Sequence, residues 1–515
     1  MNQDKYLPFP AASARFEALR REGRRIVQCH GTFDLIHPGH VIHLEEAKKL
    51  GDVLVVTVTG EAHVNKGPGR PFFNDALRVR SLAALACVDF VVIIPFPAAV
   101  EAIETVRPHI YCKGLEYADP SNDVTGNIAG DVAAVQAVGG EVRYLGETVS
   151  SSTRLINTHF AALIPAVDHF CRSLARRWSP REFAAAVEGF SKLRVLVVGD
   201  TILDQYSFLR FQGLASKNRI LSGRHLRDEV HAGGALAVFR HIAAFTPSVR
   251  FLSVLGTEDW VDQEMKKFLP TGADATIRSD RLTTVVKQRF VEPEMEGKEL
   301  TKLFAVNFLD PGPPSPEVMD QILERLRTEI ERADAVVLAD FGHGLLQPAI
   351  RDFLQERAPF LALNCQTNSA NHGFNILPRK YRRADIVTLD EQELLLACGE
   401  RGVDLPAELE NLRRSLSARS IWLTRGPVET LGLDADGESS ACPPLSTDAT
   451  DTLGAGDAFF SLVSLAAAAG LPLDLCTFLG QLAGAQAVRT VGNRTPVSKS
   501  VLLKGGMSLL NREPL

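Results

Sequence analysis

Two short runs rich in β-branched residues, Ile26-Val27-Gln28-Cys29 and Val195-Leu196-Val197-Val198, each break straight into a loop that carries an acidic residue. The first loop runs from His30 to Asp34, and the second opens Gly199-Asp200. After these starts, apolar runs at 53–58 and 90–94, then at 335–338, 386–389 and 421–424, alternate with stretches of helical period. Alternating strands and helices assemble as βαβ units around a parallel sheet, so the pattern predicts two α/β halves. A chain of 515 residues also exceeds what one core usually holds. Between the halves, residues 159–192 carry no strand signal. There Ser179-Pro180-Arg181-Glu182 offers an N-cap, an N1 proline and an early acid ahead of an alanine-rich helix. The expected division is a domain over 1–160, a helical connector over 161–192 and a second domain over 193–515. No internal repeat relates the halves, which predicts two different folds.

Composition removes several classes of function. Hydrophobic residues at 45% and charged residues at 23% fit a globular chain. A net charge of −6 lacks the basic excess of a nucleic-acid binder, although single pockets can still be basic. The eight cysteines form no C-x-x-C pair, which argues against zinc and disulfide frameworks and for a reducing compartment. No basic start followed by an apolar run marks a signal peptide. The most apolar stretch, 82–103, is interrupted by Asp89, Pro95 and Pro97 and reads as a helix end followed by a buried strand. The expectation is a cytoplasmic protein with neither membrane nor nucleic-acid partners.

The string His30-Gly31-Thr32-Phe33-Asp34-Leu35-Ile36-His37-Pro38-Gly39-His40 follows the first strand directly. Pro38 suits a first helical turn, and Gly39 leaves room for a ligand against the backbone. His37 and His40, three apart, share one face of that helix start, where unpaired N–H groups and the helix dipole attract anions. Two imidazoles added there make a cradle for a nucleoside triphosphate. The attacking group in such a site is itself a phosphate, so catalysis is positioning plus stabilisation of charge on departing pyrophosphate. An isolated H-x-G-H could equally be one loop histidine and one solvated one.

The string resembles the cytidylyltransferase-like nucleotidylyltransferases. The resemblance continues through Lys48-Lys49-Leu50-Gly51-Asp52, Lys66-Gly67-Pro68-Gly69-Arg70-Pro71, residues 82–92, Cys112-Lys113-Gly114 and Ser150-Ser151-Ser152-Thr153-Arg154-Leu155-Ile156. Over about 25–157 it is nearest to the adenylyltransferase half of the bifunctional heptose-phosphate kinase/adenylyltransferase family. That resemblance implies a Rossmann-like fold with Thr32 and Phe33 near the nucleotide and His37 and His40 on its phosphates. Lys113 and a helix start at Ser151, Ser152 and Thr153 would complete the triphosphate site. Glu116 departs from the Asp common there.

Near the end of the second half stands Asp451-Thr452-Leu453-Gly454-Ala455-Gly456-Asp457-Ala458-Phe459-Phe460, leading into an alanine-rich helix. Small residues let the backbone turn tightly and present N–H groups to a transferring phosphoryl group. Asp457 stands where it could take the proton of an acceptor hydroxyl, a contribution of about 10²–10⁴ in rate. A lone G-A-G-D could also be a helix start with a capping carboxylate. The region is similar to the ribokinase-like (PfkB) carbohydrate kinases over about 193–500. Under that resemblance Gly454, Ala455 and Gly456 bind nucleotide phosphates, as do Thr424 and Gly426 of an ATP-binding turn. Asp390 and Glu393 correspond to an N-x-x-E region that helps hold magnesium and ATP phosphates. Asp200, Asp204, Gly233 and Gly234 would face the sugar. Four departures alter the surroundings of the sugar and the metal: Ala237 for Asn, Asp390 for Asn, Asn364-Cys365-Gln366-Thr367-Asn368 for a D-P-K-like stretch, and His343 for Lys.

Together the resemblances imply a bifunctional enzyme of sugar-nucleotide synthesis, its two domains in the reverse of the usual order. A kinase would phosphorylate a sugar or sugar phosphate. A transferase would join a sugar 1-phosphate to NMP, from ATP in preference to CTP, and release pyrophosphate. Mg²⁺ and ATP are the implied cofactors, a sugar phosphate and a nucleoside triphosphate the partners, and a homo-oligomer is allowed. Two alternatives stay open: a polyol-phosphate cytidylyltransferase, and a transferase fused to a degenerate kinase that senses a sugar or nucleotide.

Overall fold

A computed structural model describes residues 5–64, 71–115, 127–145, 164–214, 220–292, 301–309, 312–367, 371–446 and 450–512. The chain divides into two compact units, residues 1–184 with 503–515, and residues 185–502.

The first unit is built on β1 (Ile26–Gly31), β2 (Val53–Thr59), β3 (Phe90–Ile94), β4 (Ile110–Gly114) and β5 (Glu141–Leu145). They form one parallel sheet in the order β3-β2-β1-β4-β5. The pleat explains why β2 opens with apolar residues on both faces, Thr57 and Thr59 coming only toward its carboxyl end. Leu54, Val56 and Val58 pack under α2 (Pro38–Lys48) and α3 (Asp75–Ala83), through Leu44, Ala47 and Leu82. Val53 and Val55 pack on the other face under α1 (Phe9–Arg21) and α4 (Val100–Val106), through Phe16, Leu19, Ala102 and Val106. Successive strands lie on opposite sides of β1, so a crevice opens at the carboxyl ends of β1 and β4. Helix α5 (Asn127–Ala137) precedes β5. Two helices follow, α6 (Pro165–Ala175) and α7 (Pro180–Gly189). The expected capping box forms at α7: Ser179 N donates to Glu182 Oε2 at 2.8 Å, and Glu182 N donates to Ser179 Oγ at 3.2 Å.

Among the described residues the second unit has an eight-stranded sheet, a four-stranded sheet and a short parallel pair, β10 (Val254–Leu255) with β11 (Ile277–Arg278). The larger sheet runs β19-β18-β17-β16-β15-β14-β6-β9. Its parallel core comprises β6 (Val195–Gly199), β9 (Val249–Leu252), β14 (Ala335–Asp340), β15 (Leu361–Cys365), β16 (Ile386–Asp390) and β17 (Ser420–Thr424). An antiparallel edge follows in β18 (Thr430–Asp434) and β19 (Ser439–Cys442). The four-stranded second sheet, in the order β13-β12-β7-β8, comprises β7 (Thr201–Leu214), β8 (Leu221–Gly234), β12 (Val285–Glu292) and β13 (Thr301–Phe308). The strands expected from apolar runs all form, within two residues of their expected ends. The second sheet was not expected. Much of β8 is exposed and carries Arg224 and then the charged run Arg227-Asp228-Glu229, so it lacks the apolar period that marks a buried strand. No helix among the described residues is long and apolar enough to cross a membrane.

Candidate active sites

The first candidate site lies at the carboxyl end of β1. Phe33, with φ of 47°, turns the chain there, and its ring is buried against His40 at 5.3 Å between centroids. Helix α2 begins at Pro38 with His37 as its N-cap residue, and the His37 and His40 rings lie 4.0 Å apart. His37 Nδ1 is buried without a hydrogen-bond partner, and desolvation holds this imidazole below its ordinary pKa. His30 is pushed further, to about 3, by burial first and then by the charge of Lys113. Its ring nitrogens meet Thr57 Oγ1 at 3.1 Å and Thr59 Oγ1 at 3.4 Å.

Thr32 is held through its carbonyl, which accepts from Arg78 Nη1 at 2.7 Å. The same nitrogen donates to Thr59 O at 2.9 Å, and Arg78 also pairs with Asp75. Asp34 accepts from Phe73 N at 2.9 Å. Sequence reasoning missed Arg78, whose wholly buried guanidinium binds the loop after β1 to the last residue of β2. A charged residue in an amphipathic helix reads as a solvated one. Lys113 ends β4 beside β1, where Cys29 and Cys112 are register partners. Its ammonium lies 3.0 Å from Asp131 Oδ2, which also accepts from Tyr111 Oη at 2.9 Å. His37 and His40 thus lie together at the start of α2, and the charge of Lys113 acts on His30. Ser151, Ser152, Thr153 and Glu116 lie outside the described residues.

The second candidate site follows the carboxyl edge of the larger sheet. Helix α15 (Ala455–Ala468 in chain order, after α8 at Ala235–Ala243, α9 at Asp259–Phe268, α10 at Pro316–Ile330, α11 at Pro348–Arg357, α12 at Leu377–Lys380, α13 at Glu391–Cys398 and α14 at Leu405–Ser415) starts from Gly454. Gly454 has φ of 83°, and a Cβ there would overlap Asn493 Oδ1. A Cβ at Gly456 would instead meet nothing within 4 Å. Space for a ligand therefore opens above the first turn, whose N–H groups have no carbonyl one turn back. Asp451 anchors the approach to this turn. It accepts from Leu453 N at 3.1 Å and Gly492 N at 3.0 Å, and pairs with Lys302 Nζ of β13 at 2.8 Å.

Asp457 is buried, and its Oδ1 accepts from Gln366 Nε2 at 2.9 Å. Burial pushes its pKa up to about 7; the negative charge of Asp204 acts the same way, while hydrogen bonds from Gln366 and Asn493 and the charge of Lys287 act against it. On one side stand Asp204 of β7, ion-paired with Arg289 of β12, and Lys287, which is the register partner of Asp204. A Cβ at Gly233 would overlap the Asp204 carboxylate, and one at Gly234 would come within 2.6 Å of Asp200 O. Those two glycines thus allow β8 and β7 to close on each other.

On the other side, Asp390 caps α13. Glu393 N donates to Asp390 Oδ1 at 2.8 Å, and Asp390 N donates to Glu393 Oε2 at 2.9 Å. Glu393 Oε1 accepts from Thr367 N at 2.9 Å. Burial first, and then the nearby charge of Asp390, raise Glu393 to about 8. Asp390 is the register partner of Thr424, whose Oγ1 donates to Leu389 O at 3.4 Å. Gly426, with φ of 50°, turns the chain just beyond.

Asp200, expected to face the sugar, is buried beside the loop after β14 and lines a cavity with His343 and Leu345. Its carboxylate accepts from Phe341 N at 3.1 Å, His343 N at 3.2 Å and Leu345 N at 3.3 Å, so it shapes the loop after β14. Burial and then Asp340 raise its pKa to about 6. His343 Nε2 is buried without a partner. Ala237 is buried within α8. Gln366, Asn493, Lys287 and Arg289 were not singled out as site residues by the sequence. Only the departures at 364–368 pointed toward Gln366.

A helix N-terminus that faces open space, with a buried carboxyl group in its first turn, is an arrangement able to receive a phosphoryl group. The chain belongs to the pfkB family of carbohydrate kinases, whose family model matches residues 192–500. A cytidylyltransferase-like family model matches residues 29–156. The bifunctional protein HldE of Methylococcus capsulatus is 44% identical over 140 residues, 27% of this chain and 28% of that protein. Its namesake from Syntrophotalea carbinolica is 38% identical over 129 residues, 24% of this chain and 26% of that protein. The chain thus matches only about a quarter of the length of these two curated relatives. A crystal structure of phosphofructokinase-2 from Escherichia coli in complex with substrates and products aligns at 16% identity. It covers 60% of this chain and 97% of that chain, with a TM-score of 0.48.

Proposed function

We propose that the protein is bifunctional: its second unit phosphorylates a sugar or sugar phosphate with ATP, and its first converts a sugar 1-phosphate and ATP to an ADP-sugar and pyrophosphate. The observation that carries the kinase half is the place of Asp457, in the first turn of α15 between Asp204 on one side and Glu393 on the other. Asp457 takes the proton of the acceptor hydroxyl, the oxygen attacks the γ-phosphorus, and the bond to the β,γ-bridging oxygen breaks to release ADP. A base with a pKa of about 7 is matched to that task at neutral pH.

The carboxylates at Asp390 and Glu393 fit a magnesium ion carried by the nucleotide. Their mutual repulsion contributes to the raised pKa of Glu393, and a divalent cation there relieves it. Among the described residues no group of three or more metal-binding side chains exists, so the phosphates would complete the coordination. Magnesium would supply charge neutralisation on those phosphates. In the first unit, His37 and His40 contact the triphosphate and Lys113 neutralises the departing pyrophosphate.

The altered acceptor surroundings, Ala237 and the stretch from Asn364, support a preference for a sugar or sugar phosphate other than heptose 7-phosphate. A site that hydrogen-bonds a hydroxyl discriminates by as much as about 10⁴–10⁵ against analogues that lack it. The sensor reading draws on Asp200 and Glu393, whose carboxylate oxygens are engaged by backbone N–H groups. Incubating the full chain with a panel of sugars and sugar phosphates, with ATP or CTP, and reading products by mass tests all of this. ADP release with a phosphorylated sugar is expected, and an ADP-sugar from a sugar 1-phosphate. CDP products alone would support the polyol-phosphate cytidylyltransferase. No ADP release on any acceptor would leave the sensor.

A further inference from the structure

The segment 364–367, which departs from the D-P-K pattern, ties the end of β15 to β16 and to the first turns of α15 and α13. Asn364 Nδ2 donates to Thr388 O at 3.0 Å, Gln366 Nε2 to Asp457 Oδ1 at 2.9 Å, and Thr367 N to Glu393 Oε1 at 2.9 Å. Gln366 is itself fixed at both ends of its peptide unit. Its N–H donates to Asp340 O at 2.8 Å, and its carbonyl accepts from Asn375 Nδ2 at 2.8 Å. Asn375 in turn belongs to the cluster around Asp340, where Lys380 Nζ lies 2.5 Å and Tyr381 Oη 2.7 Å from Asp340 Oδ2. A side chain with so constrained a backbone meets its acceptor at little further entropic cost, which is how a site holds a reacting group in one orientation.

We propose that Gln366 is the positioning residue of the kinase base: its neutral amide fixes the rotation of the Asp457 carboxyl group and holds it ionised for the acceptor hydroxyl. The inference rests on the kinase reading above. The charged groups that face Asp457 are Asp204 of β7, Lys287 of β12 and Glu393 of α13. Asn493 adds a second hydrogen bond to the carboxyl group. Lys287 is thus a cation whose charge acts on the base, and Gln366 orients the carboxyl group without adding another. A lysine in its place would bind the carboxylate more tightly, keep it ionised to lower pH and weaken it as a base.

Two variants of the full chain test this, Gln366→Met, which keeps length but has no donor, and Gln366→Lys. Losing the donor makes ionisation of Asp457 harder. In Gln366→Met the acid limb of the kcat profile should therefore move to higher pH by on the order of one unit, with kcat lower by about tenfold. The KM for ATP should stay unchanged. In Gln366→Lys the limb should move to lower pH. A readout free of turnover is the titration of Asp457 in protein carrying ¹³C-carboxyl aspartate, its resonance assigned by loss in Asp457→Asn. Midpoints that shift as the limbs do support the positioning role. Limbs and midpoints unmoved in both variants overturn it, even if kcat falls. Shifted midpoints in a protein that phosphorylates nothing would sustain the Gln366–Asp457 coupling and remove the kinase reading instead.

Discussion

At the scale of single residues, Asp457 was legible in the sequence because G-A-G-D places it by local spacing. Gln366 and Asn493 were not, since each reaches it from a distant part of the chain and no local period marks such a contact. The same limit hid Arg78, and it hid the three backbone N–H groups of the loop after β14 that donate to Asp200. Burial at Asp457 also has a thermodynamic sign. Its folded pKa of about 7 lies above the ordinary 3.8, so between those values the folded chain binds more protons than the unfolded one. Stability is therefore lost as pH rises through that window, and the loss is complete above it. Asparagine at 457 does not titrate and can still accept from Gln366. The Asp457→Asn protein should lose ADP release by about 10²–10⁴ while melting higher than the parent at pH 8, by about 1–3 kcal/mol. Near pH 4 the two melts should converge. Equal melts at both pH values, or full activity, would contradict this account of the residue.

Helix α15 and the sheet that carries β7, β8, β12 and β13 show what elements reveal that residues do not. The larger sheet was readable because burial on both faces leaves continuous apolar runs. The four-stranded sheet was not readable, because β8 turns charged side chains outward over much of its length. At the start of α15, two glycines only one residue apart have opposite reasons to be there. Alanine at Gly454 would have to adopt φ near 83° and displace Asn493. Alanine at Gly456 meets no protein atom and improves helix propensity. Gly454→Ala should destabilise the protein by about 1–3 kcal/mol and lower kinase kcat. Gly456→Ala should leave denaturant unfolding unchanged or slightly favoured, while raising the KM for ATP through a methyl group in the phosphate space. Denaturant titration beside ADP release separates the two. Comparable losses of stability in both variants would mean that the space above Gly456 is not a ligand's.

On the scale of the whole molecule, each half has its own parallel strands and its own proposed phosphate site, so the two activities should be separable by mutation. His37→Ala or His40→Ala should slow pyrophosphate release from a sugar 1-phosphate by about 10²–10³ and leave ADP release at the parent rate. Asp457→Asn should do the reverse. A variant of either kind that loses both activities would show that the sites are not independent. The contact between Gly233 and Asp204 constrains the molecule over a longer span of time. Because any Cβ at 233 overlaps the Asp204 carboxylate, and that carboxylate is paired with Arg289, the three positions cannot drift separately. A lineage that places a side chain at 233 has to swing the acid at 204 aside in the same stretch of its history, and the arginine at 289 has to follow or lose the partner it is buried with.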